Sequence, residues 1–118
     1  MRWDHTVMQK DFRTAWLLLL LRDGSSYGYE LRRALGERAM RLDAAVMYRS
    51  LRNMESAGLI SSRWVTSETG PRRRVYDISA AGLEELARIA ASVERSRDVQ
   101  NEFLHAYGRG AQWPPSQA

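Results

Sequence analysis

The segment from Asp43 to Tyr76 constrains this chain more than any other, because three periodicities follow one another within it. Val46, Met47, Leu51 and Met54 return on one helical face, with Asp43 as N-cap ahead of them and Gly58 as a stop behind them. Leu59 to Val65 alternates as a strand, Thr66 to Gly70 has turn chemistry with Pro71 fixing the bend, and Arg74 to Ile78 returns as a second strand. The free face of the helix carries Tyr48, Arg49, Arg52 and Asn53, and the turn carries Arg72, Arg73 and Arg74. Helix, strand, turn and strand in that order, with cations at both places, predict a winged helix-turn-helix. Those side chains can hydrogen-bond base edges and phosphates, and three consecutive arginines repel one another until a phosphate backbone neutralises them. Double-stranded DNA is the partner this pattern implies.

The flanking segments supply the rest of a small core. Residues 1–10 lack clear periodicity and read as a short arm or a frayed first turn, so the first helix is expected from about Asp11, as cap, to Arg22. Phe12, Ala15, Trp16, Leu19 and Leu20 recur at helical spacing, and Leu17 and Leu21 widen the apolar arc beyond one stripe, so this helix has to be covered on two sides. Asp23 to Ser26 ends it, with Gly24 suited to a left-handed position. A second helix is expected from Ser26 to Arg38, with Tyr27, Leu31 and Leu35 one turn apart and Gly28 permitting a close helix crossing. Ser79 caps a long last helix in which Leu86, Ile89, Val93, Ser96, Gln100, Phe103 and Tyr107 alternate at three- and four-residue spacing. Such a seam, together with the surplus apolar face at Trp16 and Leu20, is expected to meet the same elements of a second copy, giving a homodimer. The fold class is therefore mainly α with a small β-hairpin: a winged helix-turn-helix over residues 1–78, a dimerisation helix over 79–108 and a loose tail over 109–118.

Charge is distributed unevenly. Residues 1–42 carry net +3, residues 43–76 net +3 and residues 77–107 net −3, and Arg109 adds one more cation. A basic middle is the footprint of phosphate binding, and an acidic last helix belongs away from a duplex. Seventeen of the eighteen basic residues are arginine; arginine suits bidentate phosphate and guanine contacts, although a GC-rich genome gives the same bias.

Several function classes fall away. With no cysteine there is no disulfide frame, thiolate chemistry or cysteine-ligated metal. The run Leu17 to Leu21 lies between Arg13 and Arg22, far short of the roughly 20 apolar residues of a span, and no secretory signal is readable, so no membrane role and a cytoplasmic location are expected. His5 and His105 are far apart, Ser25-Ser26 reads as a cap, and Glu84 and Glu85 point in different directions on a helix. No enzyme, metal or cofactor is expected. Trp16 and Trp64 read as packing residues, whereas Trp3 and Trp113 have no assigned place.

Four motifs in order carry a family resemblance: Tyr27-Gly28-Tyr29-Glu30-Leu31; Met47-Tyr48-Arg49-Ser50-Leu51 with Glu55 and Gly58-Leu59-Ile60; Gly70-Pro71-Arg72-Arg73-Arg74-Val75-Tyr76; and Ser79-Ala80-Ala81-Gly82. Over about residues 12–95 the chain resembles the PadR family of bacterial transcriptional regulators, and its single last helix is similar to the smaller PadR-like subgroup. The resemblance implies a dimeric winged-helix repressor on an inverted-repeat operator, often released by a small molecule. On that basis Tyr27 joins Tyr48, Arg49, Arg52, Asn53 and the three wing arginines as DNA-contacting residues, and an effector is expected near Trp16, Val93 and Gln100.

Two departures qualify the resemblance. Ala45 and Val46 stand where the family usually has glycine and then a hydroxyl residue. Val93 stands where some small PadR-like drug sensors have a stacking tryptophan. The alternative reading is a winged-helix protein-interaction module that dimerises without binding DNA.

Overall fold

The fold is built outward from one apolar helix. The computed structural model describes residues 5–38 and 41–109, so the proposed tail beyond Arg109 and the two terminal tryptophans lie outside the described residues. The elements are α1 (His5–Arg22), β1 (Ser26–Tyr27), α2 (Gly28–Arg38), α3 (Ala44–Ser56), β2 (Ile60–Ser67), β3 (Gly70–Ile78) and α4 (Ala80–Gly108). The three strands form an antiparallel sheet in the order β1-β3-β2. Helix α1 touches α2, α3, β3 and α4, and its Leu17, Leu18 and Leu21 meet Leu31, Leu35, Met47, Leu51, Met54, Ile60, Tyr76 and Ile89 in a single core.

Four expectations are corrected. First, α1 begins at His5, so Asp11 is inside the helix and does not cap it. Secondly, among its residues 12–22 the fully buried ones are Leu17, Leu18 and Leu21, whereas Phe12, Ala15, Trp16, Leu19 and Leu20 are only half-buried. Five consecutive leucines point in every direction around a helix, so spacing alone could not choose which the partners would cover. Thirdly, Ser26 and Tyr27 form a strand, paired with Tyr76 and Val75, and α2 starts only at Gly28. The Glu30 carboxylate fixes that start by accepting from the Tyr27 amide at 3.1 Å, the backward half of a capping box. Fourthly, β3 begins at Gly70, so Arg72, Arg73 and Arg74 lie within the ladder and not at the turn, which falls on Glu68 and Thr69.

The junction that sets the wing and α4 against α3 is built from caps. The Asp43 carboxylate accepts from the Ala45 amide at 2.8 Å and opens α3. At the other end Gly58, with φ +79°, donates to the Glu55 carbonyl while Leu59 donates to the Met54 carbonyl, the paired bonds of a Schellman stop. The Leu59 carbonyl then accepts from the Ser79 amide at 3.0 Å and from the Ser79 hydroxyl at 2.9 Å, and Ser79 Oγ accepts from the Gly82 amide at 3.0 Å. One serine thus caps α4 and ties it to the start of β2.

Gly82 is buried at this crossing. A methyl there would run into the Leu59 carbonyl oxygen and come within 2.7 Å of Ile78 Cγ1. Gly82→Ala should therefore destabilise the protein by about 1–3 kcal/mol through overpacking. Gly36, exposed on α2 with nothing within 4 Å of its would-be Cβ, is the control. Gly36→Ala should add about 0.5–1 kcal/mol. Urea melts of the two variants decide the matter, and matching midpoints would refute the close crossing.

Candidate nucleic-acid interface

Helix α3 turns its two faces to different tasks. Met47, Leu51 and Met54 are buried, Val46 is half-buried, and Tyr48, Arg49, Arg52 and Asn53 are exposed together. Among the described residues, no ion pair holds Arg49 or Arg52, so their charges remain available to a ligand. The Arg32 Nε donates to the Leu42 carbonyl at 3.1 Å, which braces the connection leading into α3.

Strand alternation divides the wing arginines between two faces. Trp64 lies directly across the ladder from Arg74, and the Arg72 and Arg74 guanidiniums sit 5.0 and 5.5 Å from the centre of its ring. Arg74 is also fixed from α3 and β2. Its Nε donates to Ser62 Oγ at 2.8 Å, its Nη2 lies 3.6 Å from Glu55 Oε1, and the Ser62 hydroxyl reaches the Glu55 carboxylate at 2.9 Å. Arg73 faces the other way, 5.5 Å from the Tyr27 ring. Arg63, on that second face, pairs with Asp77 at 3.5 Å.

A cleft of about 650 Å³ separates this wing from α2 and α3, lined by Tyr27, Gly28, Tyr29, Tyr48, Arg73, Arg74 and Tyr76. Tyr27 therefore joins the predicted cations through β1 rather than through a helix. Tyr29, mostly exposed and 5.8 Å from the Arg33 guanidinium, is a cleft residue that the sequence reading missed. Of the Tyr-Gly-Tyr motif only Tyr27 was misplaced: it lies on β1, whereas Gly28 and Tyr29 belong to α2 as expected. Burial pushes the Tyr76 hydroxyl above its ordinary pKa, with the nearby Arg74 charge acting against the shift.

The seam predicted along α4 is divided. Leu86 and Ile89 are taken into the core of their own chain, where Trp16 and Leu20 also pack. Beyond them Val93, Gln100, Phe103 and Tyr107 are exposed, the last two with stacked rings 6.4 Å apart. Val99 and Leu104, at 70% and 60% exposure, belong with these apolar residues and were missed because neither lies on the three-four repeat. A groove of about 300 Å³ runs between α1 and α4, and Phe12, Val93, Ser96 and Gln100 are among its lining. It brings together two of the three proposed effector residues, with Phe12 where Trp16 was expected. Among the described residues, no group of acidic or histidine side chains could hold a metal ion, and no helix is long and apolar enough to cross a membrane.

A helix with a free polar face, followed by a basic β-ribbon packed on a three-helix core, defines a winged helix-turn-helix. The sequence model of the PadR-like transcriptional regulator family matches residues 17–88, and the chain belongs to that family. Solved structures agree. A PadR family transcription regulator from Clostridium difficile is 29% identical, covers 79% of this chain and 98% of its own, and superposes with a TM-score of 0.74. A transcriptional regulator from Clostridium thermocellum is 26% identical over 86% of this chain and 98% of its own, with a TM-score of 0.72. Bacillus subtilis PadR in complex with operator DNA is 23% identical over 64% of this chain and 44% of its own, with a TM-score of 0.59, and supports the fold. No curated protein sequence matches the chain.

The expected close approach at Gly28 involves a side chain of α3. A Cβ there would lie 2.6 Å from Tyr48 Cε1 and 2.8 Å from its hydroxyl. Gly28→Ala should cost about 1–2 kcal/mol, because the Tyr48 ring must leave its place. In a Tyr48→Ala background the same change should be neutral or stabilising, as alanine favours the helix. Equal costs in both backgrounds, measured by urea denaturation, would dismiss the contact.

Proposed function

We propose that this regulator binds double-stranded DNA as a homodimer and acts as a repressor at an inverted-repeat operator. One observation carries the reading: Tyr48, Arg49, Arg52 and Asn53 are exposed on one face of α3 and Arg72, Arg73 and Arg74 are exposed on the wing, with Tyr48, Arg73 and Arg74 meeting at the cleft between the two elements and, among the described residues, Arg74 alone of these arginines in an ion pair. In this reading α3 enters the major groove, where Arg49 or Arg52 addresses a base edge, and the wing follows the adjacent phosphates. The protein is expected to work in the cytoplasm. The operator complex of Bacillus subtilis PadR supports the same use of the fold.

Dimerisation draws support from the outer half of α4, where Val99, Phe103, Leu104 and Tyr107 expose apolar surface that the other described residues do not cover. A second copy would bury it and set two recognition helices about one helical turn of DNA, or a multiple, apart. The groove between α1 and α4, with Val93 and Gln100, is the place we assign to a small-molecule effector that lifts repression.

Replacing Arg72 and Arg73 together with alanine should weaken binding to operator and random duplex alike, and should reduce the dependence of log affinity on log salt by roughly one to two units per subunit. Fluorescence anisotropy over a salt series reads this. Absence of duplex binding by the unaltered protein at low salt would replace the DNA reading with a protein-interaction module. Phe103→Asp, placed on a side chain 65% exposed, should leave the subunit folded but convert dimer to monomer. Light scattering after size exclusion tests it, and a dimer that persists would move the interface elsewhere.

A further inference from the structure

Trp64 is a large apolar residue that the core does not use: it is 54% exposed on β2, outside the buried cluster. Its contacts are with cations. Arg74 is its direct partner across the ladder, and Arg72 is the diagonal neighbour on the same face, both within 5.5 Å of the ring centre. We propose that Trp64 is a positioning residue of the wing, holding the Arg72 and Arg74 guanidiniums together on one face for a phosphate backbone; this rests on the DNA-binding reading above.

Two guanidiniums on one short stretch of strand repel each other and, left free, would spread into solvent. The negative face of an indole offsets that repulsion, and the planar guanidinium stacks on it while its N–H groups stay available at the edge. The two arginines depend on the ring unequally. Ser62 and Glu55 already hold Arg74, whereas among the described residues the Trp64 ring is the one partner of the Arg72 guanidinium. Arg72 is therefore where the ring matters most. An arginine ordered before binding loses less rotamer freedom when it meets phosphate. The wing gains affinity in this way without gaining a phosphate contact, and that separates the role of Trp64 from the role of the arginines.

The experiment compares Trp64→Leu, which keeps apolar bulk on the strand, with Trp64→Phe, which keeps a π face. In the DNA-free protein, ring-current shifts of the Arg72 and Arg74 side-chain protons should be present, vanish in the leucine variant and persist in part in the phenylalanine variant. Random-coil shifts for Arg72 in the unaltered protein would overturn the anchor whatever happens with DNA. With random duplex, Trp64→Leu should lose roughly 3- to 10-fold in affinity at fixed salt, with the salt slope unchanged because the phosphate contacts are equally many. Trp64→Phe should recover much of that loss. Arg72→Ala should cost less in the Trp64→Leu background than alone. Equal affinities for the leucine and phenylalanine variants, or additive losses with Arg72→Ala, would overturn the proposal. Failure of the unaltered protein to bind duplex would overturn the DNA reading and the phosphate role of Trp64 with it, leaving the proton shifts to decide whether the ring holds the arginines.

Discussion

The burial of Leu17, Leu18 and Leu21 on α1 is the constraint on which the other elements depend. Helix α1 packs against α2, α3, β3 and α4 alike, so each element finds its orientation by covering part of the same apolar surface. At about 25 cal/mol for each Å² removed from water, three fully buried leucines supply several kcal/mol, a large share of the net stability of a small domain. The polar groups around that core are few and specific. Ser79 serves the carbonyls of Gly58 and Leu59 and the amide of Gly82, so the strand ending at Ile78, the helix starting at Ala80 and the stop of α3 meet at one side chain.

Much of this was legible in the residues, and the exceptions have physical reasons. Asp43, Gly58 and Ser79 act locally, through a side-chain oxygen or a left-handed backbone within a few residues of where they stand, and each ends or opens the helix it was expected to. The first helix was misjudged because its leucines are contiguous, and only the arrangement of four neighbours selects the buried ones. Strand β1 was invisible because two residues carry no period, and its cause is the ladder it makes with Val75 and Tyr76 nearly fifty residues later. The shared exposed face of Tyr48, Arg49, Arg52 and Asn53 could be read from the period of one helix. The contact set around Trp64 could not, since it depends on the register between two strands and on a bulge between Val65 and Ser67.

The wing and α3 are also coupled more tightly than a ribbon on a hinge would be. Glu55 projects from α3, Ser62 from β2 and Arg74 from β3, and they form one chain of hydrogen bonds and an ion pair. Exposed ion pairs contribute little to stability by themselves, but a shared network fixes relative position. The Tyr76 ring is buried beside it and the Tyr48 ring stands over Gly28, so the cleft between wing and recognition helix has defined walls. Helix α3 and the wing thus hold their cations in a fixed relation, which is what the proposed simultaneous engagement of a groove and its flanking phosphates would require.

The same rigidity limits how a regulatory signal could reach DNA. Phe12, which lines the groove against α4, and Leu17, Leu18 and Leu21, which form the core with α2 and α3, belong to one continuous helix. Close-packed interiors do not deform gradually, so a ligand in that groove would shift α1 and the winged domain as a body before it distorted the cleft. In a dimer joined through the outer part of α4, such a shift changes the angle between subunits and hence the spacing of the two recognition helices. An inverted repeat is sensitive to that spacing, because both half-sites must be met in register for either set of contacts to count in full. Under the proposed function, control by spacing would leave the face proposed to meet DNA unaltered, so bracing of α3 and the wing by Glu55 and Ser62 is compatible with regulation.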